Sequence, residues 1–424
     1  MSSKLNAPVY ILGAGCTHFG NLLDTPELQG LSLQQLASVA VKEALEDAQT
    51  DPGEIDAYLM GNHTAQSSFA SAYSQVSKWI GMEHKAGIQM AAACSTTNAG
   101  TQLAVAQIAA GVYKKVLVVG FEATQTNPKG NSPYEREQTP TDIMWMWTDG
   151  GVSQAYWVPL GYDIFPVYNG LIALGYCRKF GISIDEYDTS MMELCRTRRL
   201  HGSLTPKAVR RETLEDEAKR NGFNDVKEFW ISENNPFLAW PTRLRSLVTA
   251  VDGASAIVLG DAEAAREYEG TPIEVKGMSY CVGDLPWYKE DTVFPADAIA
   301  LANAYEMAGV SAKDIGYCST HDCSHISGIR IAEQAGYLPE GHGLHYAREG
   351  RLRFDADRPM STTGGRHAFG HAWAASAGVE IGEAVNQMRG QAGAKQIKTP
   401  PEFSLIHNHG YAMISSVMIL KGGM

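Results

Sequence analysis

Two stretches of the chain follow the same pattern: ALEDAQTDPGEIDAYLMGNHT at residues 44–64 and AYEMAGVSAKDIGYCSTHDCS at residues 304–324. Each begins as the end of a helix, continues through a turn and ends in a strand-like apolar run. The alignment needs no gap and places Ala44 on Ala304 and Ile55 on Ile315. A repeated helix, turn and strand predicts that the molecule has two similar halves.

The repeat continues further along both stretches. The helix-like segment CSTTNAGTQLAVAQIAAG at 94–111 leads into an apolar strand at 116–119, and SAGVEIGEAVNQMRG at 376–390 leads into another at 403–406. Strands that alternate with helices are typical of α/β units, whose mainly parallel sheets are buried on both faces. We therefore expect an α/β protein of two pseudo-symmetric halves, with helices between and outside two sheets.

The sequence between the halves differs in character. Residues 121–245 contain turn-rich, aromatic and charged segments without the repeat, which predicts an inserted loop domain. The strand-like run VDGASAIVLG at 251–260 then returns to the first half. We expect an N-terminal half at 1–120 plus 246–268 and a C-terminal half at 269–424. Such insertions often serve as lids or binding walls, and a plain surface elaboration is the alternative.

The overall composition excludes several classes of partner. The chain has 35 basic and 47 acidic side chains and a net charge of −12, so its field repels nucleic acid and anionic membranes. The start of the sequence lacks a signal peptide, and no run reaches about 18 apolar residues, which predicts a cytoplasmic protein without a membrane span. The seven cysteines form no CxxC pair, which argues against a disulfide framework.

A glycine-rich stretch near the start, GAGCTHFG at 13–20, only partly matches a dinucleotide-binding loop. That loop requires a third glycine at position 18, where this chain has His18. The acidic residue expected about 20 positions later falls on a helix face. We therefore do not expect nucleotide binding at this stretch.

Cys94 is the first candidate for chemistry. The segment AAACSTTNAG places it among small residues just before a helix. A helix N-terminus favours the thiolate nucleophile, and small neighbours leave room for a substrate. The alternative is an ordinary buried cysteine, which behaves as a small hydrophobic residue.

His371 is the candidate partner of this thiol. In TTGGRHAFGHAWAASAG, at 362–378, it follows the glycine pair Gly364 and Gly365 and precedes the helix that the repeat matches to the one after Cys94. Pseudo-symmetry would bring the two helix starts together. An imidazole beside a thiol takes its proton and stabilises the thiolate. Taken alone, the same histidine would be structural.

More histidines follow two strand-like runs, a position where α/β sheets collect ligands. The segments STHDCSH and IHNHG contain His321, Cys323, His325, His407 and His409. These residue types bind zinc, but H-x-C-x-H and H-x-H are not the usual spacings of structural zinc sites. Because an acyl-transfer site needs polar groups of the same kinds, we predict no metal here.

Together these motifs resemble those of the thiolase superfamily, and within it the sterol-carrier-protein-type thiolases and their bacterial and archaeal relatives. AAACSTTNAG resembles the nucleophilic-cysteine motif, and GGRHAFGHAWAASAG resembles the block of a glycine pair and Gly-His-Pro, with Ala372 replacing the proline. HDC at 321–323 is similar to the subgroup's His-Asp-Cys-Phe motif, with Ser324 replacing the phenylalanine, and HNHG to its His-Asn-x-Gly terminus. The stretch at 233–259 is similar to the family's return from loop domain to core. The resemblance spans nearly the whole chain.

The resemblance implies a five-layered αβαβα fold, a dimer, and acyl transfer to Cys94, which His371 activates. The second thiolase cysteine, that of the Cys-x-Gly motif, is missing. His409 aligns with it, and Cys323 is the subgroup's substitute, so each is a candidate acid/base, and we favour the cysteine. The region of His321 would help to stabilise developing oxyanions.

The leading hypothesis is a CoA-dependent thiolase that cleaves a β-ketoacyl-CoA, or runs the reverse Claisen condensation, with CoA as co-substrate and no permanent cofactor. One rival is a CoA-linked retro-aldolase on the same fold, which needs a general base but no thiolate. Another rival is a catalytically silent structural subunit. The joint presence of Cys94 and His371 favours acyl transfer.

The identity of the acyl group is the least determined property. Aromatic residues of the inserted region suit a bulky or aromatic acyl group, such as that of benzoylsuccinyl-CoA, and Arg366 is expected to meet a substrate carboxylate. The alternatives are core packing and a surface charge. Gly364, Gly365 and Tyr411 are the other expected substrate or CoA contacts. The aromatic residues are Trp145, Trp147, Tyr156 and Trp157.

We also expect partners beyond the substrate. The resemblance implies a homodimer and a small zinc-ribbon and OB-fold protein as a second polypeptide. An aromatic-rich insertion exposes apolar surface, and large exposed patches tend to be contact sites. Self-association through the loop domain is the competing explanation.

Overall fold

The strands of the protein form one large sheet and one small hairpin. The computed structural model describes residues 4–62, 75–123, 164–283, 294–410 and 414–423. Its strands are β1 Tyr10–Cys16, β2 Ala57–Gly61, β3 Ala86–Met90, β4 Lys115–Ala123, β5 Phe237–Ala239, β6 Thr242–Arg243, β7 Asp252–Gly260, β8 Ile273–Val282, β9 Ile315–Ser319, β10 Phe403–Gly410 and β11 Ile414–Lys421.

Helices precede and follow most of these strands. The helices bounded within the described residues are α1 Leu33–Asp47, α2 Thr96–Ala109, α3 Ile164–Phe180, α4 Ile184–Ser203, α5 Leu214–Arg220, α6 Val226–Ile231, α7 Ala262–Glu267, α8 Pro295–Ala308, α9 His325–Gln334, α10 Gly343–Arg348, α11 Gly365–Ala368 and α12 Trp373–Arg389. No helix in these described ranges combines the length and the apolar character needed to cross a membrane.

The internal repeat is visible in the order of elements. In the first half α1 is followed by a 3₁₀ turn at Pro52–Glu54 and then by β2; in the second half α8 is followed by a 3₁₀ turn at Ala312–Asp314 and then by β9. The same tight packing also recurs. A Cβ on Gly13 would overlap α1, and one on Gly277 would overlap α8, so glycine lets each helix approach its strand.

The large sheet contains both halves. Its strand order is β3-β2-β4-β7-β1-β8-β11-β10-β9, so the second half reverses the order of the first. Only β2–β3, β2–β4 and β9–β10 are parallel, and the described central pairs are antiparallel. The expectation of a mainly parallel sheet is therefore wrong, because β7 and β11 each lie between two strands that run in the opposite direction. In the described sheet, the two half-sheets join where Tyr10 and Ile11 pair with Glu274 and Ile273, and the Val275 amide also donates to the Val9 carbonyl at 2.9 Å.

Helices lie between and outside the two half-sheets. α2 and α12 each contact strands of both halves, whereas α1 contacts β1, β4 and β7, and α8 contacts β8 and β11. Alternate side chains of β4 serve different layers: Val116 and Val118 pack toward the central helices, and Leu117 and Val119 pack toward α1. The five-layered αβαβα fold with two pseudo-symmetric halves is thus confirmed.

The described helices between β4 and β7 pack against the second half. Residues of α3 and α4 share a hydrophobic core with α9 and α10. After these helices, β7 lies between β4 and β1, as its apolar sequence predicted. The exact division of the chain into an N-terminal half, a loop domain and a C-terminal half stays a prediction.

The glycines of GAGCTHFG serve this packing rather than a nucleotide. A Cβ on Gly13 would overlap the backbone at Ala44, and a Cβ on Gly15 would overlap the backbone at Ala40. Both glycines lie on β1 directly under α1. This placement agrees with the expectation that the stretch is not a dinucleotide loop.

Candidate active site

Four side chains from distant parts of the sequence meet in the interior. They project from the start of α2, from the loop after β9 and from the loop before α12. Each offers one sulfur or nitrogen atom, and all four of these atoms lie within 4.8 Å of one another. We call this group the Cys–His cluster; its members are Cys94, His321, Cys323 and His371.

The backbone at Cys94 forms a tight turn that places the buried thiol at the start of a helix. A 3₁₀ turn at Ala93–Ser95 precedes α2, and Ala93 has φ +49, a left-handed conformation that is unusual outside glycine. The Thr96 hydroxyl donates to the Ala93 carbonyl at 2.6 Å and accepts from the Ala92 amide at 2.9 Å, which holds the turn. The positive end of the helix dipole therefore lies at this cysteine.

The two cysteines of the cluster differ in protonation. The Cys323 thiol donates a hydrogen bond to Cys94 and holds the pKa of Cys94 well below its usual range; burial opposes this effect, and His371 and Arg366 add to it. Burial and the neighbouring Cys94 raise the pKa of Cys323 well above its usual range. These opposite shifts favour the thiolate form of Cys94 and the protonated form of Cys323.

His371 is oriented by its neighbours. The Ser376 hydroxyl donates to the Ala372 carbonyl at 3.2 Å, so its oxygen accepts from Nδ1 of His371 at 2.9 Å. This network assigns the proton to Nδ1 and leaves a lone pair on Nε2. Among the described residues, Nε2 has no nitrogen or oxygen partner. Burial lowers the pKa of His371, against the effect of Cys94, so the ring is a neutral base.

One extended segment holds the two loops of the cluster together. The Val248 amide donates to the Cys323 carbonyl at 2.8 Å, and the Thr249 carbonyl accepts from the His371 amide at 2.8 Å. The Val251 amide then donates to the His371 carbonyl at 3.2 Å. This segment immediately precedes β7, so the main chain returning from the inserted region fixes both catalytic loops.

A second buried group lies beside the cluster. Nε2 of His407 and Nε2 of His409 contact the two carboxylate oxygens of Asp297 at 2.8 and 2.5 Å. Burial would raise the pKa of Asp297, but His409 and His407 lower it below its usual range. The His409 ring lies 5.6 Å from that of His321, which connects the two groups.

The glycine pair before His371 brings the backbone against a carboxylate. Gly364 and Gly365 have φ +100 and +61, and a Cβ on Gly365 would overlap the Asp322 carboxylate. Asp322 accepts from the Arg366 amide at 2.8 Å and pairs with the Arg198 guanidinium at 3.0 Å. Asp322 thereby links the loop that carries Cys323 to the loop before α12.

The sequence matches known families over both halves. Residues 9–151 match the thiolase N-terminal domain, and residues 287–422 match the family described as thiolase C-terminal domain-like. The chain belongs to the thiolase superfamily.

Individual proteins give the same result for this thiolase. The acetyl-CoA acetyltransferase of Methanothermobacter thermautotrophicus is 26% identical over 95% of this chain and 96% of its own. The solved Ltp2-ChsH2(DUF35) aldolase superposes with a TM-score of 0.77 at 20% identity, covering 99% of this chain and 98% of that one. A monomeric SCP2-thiolase-like protein type 1 from Mycobacterium smegmatis gives a TM-score of 0.69 at 20% identity, over 99% and 77% of the chains. The predicted sterol-carrier-protein-type thiolase and acyltransferase class are confirmed.

Three of the expected substrate or CoA contacts have other neighbours. Arg366 is buried, and its guanidinium donates to Glu380 and to Asn408, each at 2.5 Å. This placement argues against direct contact with a substrate carboxylate. Gly364 and Gly365 likewise pack against protein rather than line an open surface. The roles of these residues stay predictions, since local sequence does not show which acidic side chain faces a buried arginine.

His325 leaves the group of histidines in which the sequence placed it. It starts α9, and its ring lies 5.2 Å from that of His367, whose Nε2 lies 3.6 Å from the Cys195 sulfur. Helix α9 begins between Cys323 and His325, so the His325 side chain points away from the Cys–His cluster. Tyr411 and the four aromatic residues expected at the acyl group, Trp145, Trp147, Tyr156 and Trp157, lie outside the described residues.

Several polar residues of the site were not found from the sequence. Asp297 belongs to a helix far from the histidines in sequence, and no motif identifies it. Ser376 lies five residues after His371, in the first turn of α12, and no regular helical spacing links the two. Glu380 is also buried, which raises its pKa to about 8 despite the paired Arg366.

Proposed function

We propose that this member of the thiolase superfamily is a CoA-dependent thiolase that forms an acyl-Cys94 intermediate. The observation that carries the proposal is the meeting of the Cys94 sulfur, the Cys323 sulfur and a His371 ring nitrogen within 4.8 Å, where the pKa of Cys94 is lowered and that of Cys323 is raised. A nucleophile, an acid and a base within 4.8 Å are the groups that the reaction needs.

The first half of the reaction breaks a carbon–carbon bond. The Cys94 thiolate attacks the keto carbonyl of a β-ketoacyl-CoA and forms a tetrahedral oxyanion, for which His321 and the Cys94 amide are the proposed donors. Collapse of this adduct breaks the bond between the α- and β-carbons and leaves the acyl group on Cys94. The departing carbanion takes the proton of Cys323, which yields the shortened acyl-CoA and a Cys323 thiolate.

The second half restores the enzyme. Coenzyme A gives its thiol proton to Cys323, assisted by His371, and its sulfur attacks the acyl-Cys94 thioester. The second acyl-CoA leaves, Cys94 is again a thiolate, and Cys323 is again protonated. His409 is the alternative acid/base, since Asp297 orients it beside His321.

The acyl group and the direction of the reaction belong to this proposal as well. We keep a bulky or aromatic β-ketoacyl-CoA as the substrate class, with benzoylsuccinyl-CoA as its example. The buried pairing of Arg366 with Glu380 removes one argument for a carboxylated substrate. A panel of aromatic and aliphatic β-ketoacyl-CoAs, each tested for CoA-dependent cleavage, identifies the class.

A retro-aldolase is the second candidate, favoured by the similarity to a structure described as an aldolase. Retro-aldol cleavage needs a base but no covalent thioester. The name of that structure also contains a DUF35 component, which supports a hetero-oligomer with the expected zinc-ribbon and OB-fold protein. A homodimer is the other proposed assembly.

Trapping of the covalent intermediate tests the thiolase proposal. Incubation with an accepted β-ketoacyl-CoA, without free CoA, should add one acyl group to Cys94 by peptide mass spectrometry, and Cys94→Ala should lose adduct and turnover. Cys281→Ala, a thiol on β8 away from the cluster, is the matched control and should retain both. Normal turnover in Cys94→Ala would reject the thiolase mechanism and favour the retro-aldolase.

A further inference from the structure

The Cys–His cluster has the composition of a soft-metal site. Two sulfurs and two imidazole nitrogens lie within 4.8 Å of one another, and every member is buried. Tetrahedral zinc with Zn–S of about 2.3 Å and Zn–N of about 2.0 Å needs its donor atoms about 3.5 Å apart. The cluster therefore needs only a small inward movement of its side chains to surround an ion.

Two unpartnered nitrogens point to a ligand at this place. Among the described residues, Nδ1 of His321 and Nε2 of His371 are buried without a nitrogen or oxygen partner, and Nε2 of His371 faces the Cys94 sulfur. Buried polar atoms in native proteins are normally satisfied, so orphaned lone pairs next to two sulfurs indicate that something else binds there. In the His371 ring, the Ser376 hydroxyl on Nδ1 already supplies the outer hydrogen bond that metal-binding histidines usually make.

The neighbouring histidine group also has an unpartnered nitrogen, Nδ1 of His407, but its carboxylate is already engaged. Both carboxylate oxygens of Asp297 are already engaged, one with His407 and one with His409. A cation there would first have to break two buried hydrogen bonds. The two groups are therefore distinguishable, and the Cys–His cluster is the better metal site.

We propose that the Cys–His cluster is a reversible Zn²⁺ site that competes with the substrate. Zn²⁺ binds both sulfurs as thiolates, and any proton still on a thiol is released to solvent, so the filled site carries no net charge. The short spacing of its motif, H-x-C, argued against a structural zinc site, but here the four ligands come from three separate segments. The Zn²⁺ ion binds here reversibly and is not a permanent cofactor of the protein.

The proposed consequence is inhibition, which rests on the proposed thiolase function. Four protein ligands close the coordination shell and leave no open position for catalysis, unlike a catalytic zinc site. The bound metal also occupies the Cys94 sulfur. Binding itself stands on the geometry alone, so it can be measured without an assay of activity.

Cobalt provides the optical test, because Co²⁺ replaces Zn²⁺ and reports its ligands. The full-length chain with reduced thiols should bind one equivalent of Co²⁺, with a near-ultraviolet thiolate charge-transfer band and the intense visible bands of a tetrahedral ion. One equivalent of Zn²⁺ should remove both. Cys94→Ala and Cys323→Ala should each weaken binding at least tenfold. Asp297→Asn and Cys281→Ala should keep the bands.

A measurement on the unmodified chain guards against misfolded variants. Zn²⁺ should slow alkylation of Cys94 by iodoacetamide at least tenfold, and a chelator should restore the original rate. Octahedral cobalt bands without thiolate charge transfer, full binding in both cysteine variants, or alkylation of Cys94 unaffected by Zn²⁺ would each overturn the site. Protection from alkylation without any thiolase turnover would reject the proposed function and leave the metal site standing.

Discussion

Among single residues, the pKa of each cysteine in the site is set by the different groups around it. Cys94 and Cys323 are the same residue type, yet one donates a hydrogen bond to the other and their pKa values move in opposite directions. Separated pKa values assign an acid and a nucleophile within one pair. His409 competes for the acid role only through its position beside His321.

Exchange of the α-proton separates the two acid/base candidates. Cys323→Ala should still transfer an acyl group from a preformed donor to Cys94, but should lose exchange of the substrate α-proton with deuterium by at least 100-fold, an effect typical of a lost general acid/base. His409→Ala should retain exchange within about tenfold, since it acts in this scheme behind His321. The measurement is NMR of the α-position in deuterated buffer. Full exchange in Cys323→Ala with loss in His409→Ala reverses the assignment.

Asp297 is predicted to stabilise the fold through its charge. Its pKa is lowered in the folded state by His409 and His407, while Tyr168 is the other titratable group that feels its charge. A carboxyl group whose pKa is lower in the folded state stabilises the fold at pH values above its unfolded-state pKa of about 4. This stabilisation is lost as the pH falls through the folded-state pKa. Asp297→Asn should therefore lose about 1–3 kcal/mol at pH 7.

Urea unfolding at several pH values measures this effect. The difference between the original chain and Asp297→Asn should be full at pH 7 and should shrink below about pH 4. Asp355→Asn is the control, because Asp355 is partly exposed and pairs with Arg353 at the surface; it should change stability by less than about 0.5 kcal/mol. A pH-independent difference for Asp297→Asn would show that only packing was lost.

At the scale of elements, the active site is assembled by close backbone approach. α11 begins at Gly365, where positive φ and the absence of Cβ let the chain lie against Asp322. The segment at 247–251 then binds the loop after β9 on one side and the loop before α12 on the other. These contacts hold both loops at the Cys–His cluster.

Substitution of Gly365 tests the close approach. Gly365→Ala combines a positive φ with overlap of the Asp322 carboxylate, whereas Gly309→Ala has φ +68 and open space around it. The control should lose about 1–2 kcal/mol from backbone strain alone, and Gly365→Ala should lose at least about 2 kcal/mol more. Thermal unfolding and thiolysis rates measure both variants. Equal losses would mean that the contact with Asp322 is not tight.

At the scale of the whole molecule, one sheet edge is available for pairing. β3 is the last strand on its side of the described sheet, and Ile88 on it is 50% exposed. An exposed edge strand with an apolar side chain is a template for another strand. This edge supports the proposed homodimer, with β3 of each subunit at the interface.

Charge on the edge strand should separate the subunits. Ile88→Lys places a charge in the proposed interface and should convert the dimer to a monomer at micromolar concentration in analytical ultracentrifugation. Val112→Lys is the control, since Val112 is a similarly exposed aliphatic residue in the turn before β4 and should leave the mass unchanged. A dimer that survives Ile88→Lys would place the interface elsewhere.

The amino-acid sequence alone predicted an architecture of two similar halves, and it identified Cys94 as the candidate nucleophile. A repeat of helix, turn and strand specifies two similar units because each must bury an apolar face, and only layers of helices on sheets can do so. A cysteine among small residues at a helix start also specifies its own chemistry, because the helix dipole and the free space are local properties.

Tertiary structure alone decided the partners of the buried charges. Asp297 with His409 and Asp322 with Gly365 join elements that are far apart in the chain, and Glu380 with Arg366 joins two consecutive helices. The direction of β7 and the departure of His325 from the other histidines were decided in the same way. The hydrophobic periodicity of a helix or strand indicates which of its faces is buried. Which group that buried face contacts depends on how separate elements pack together.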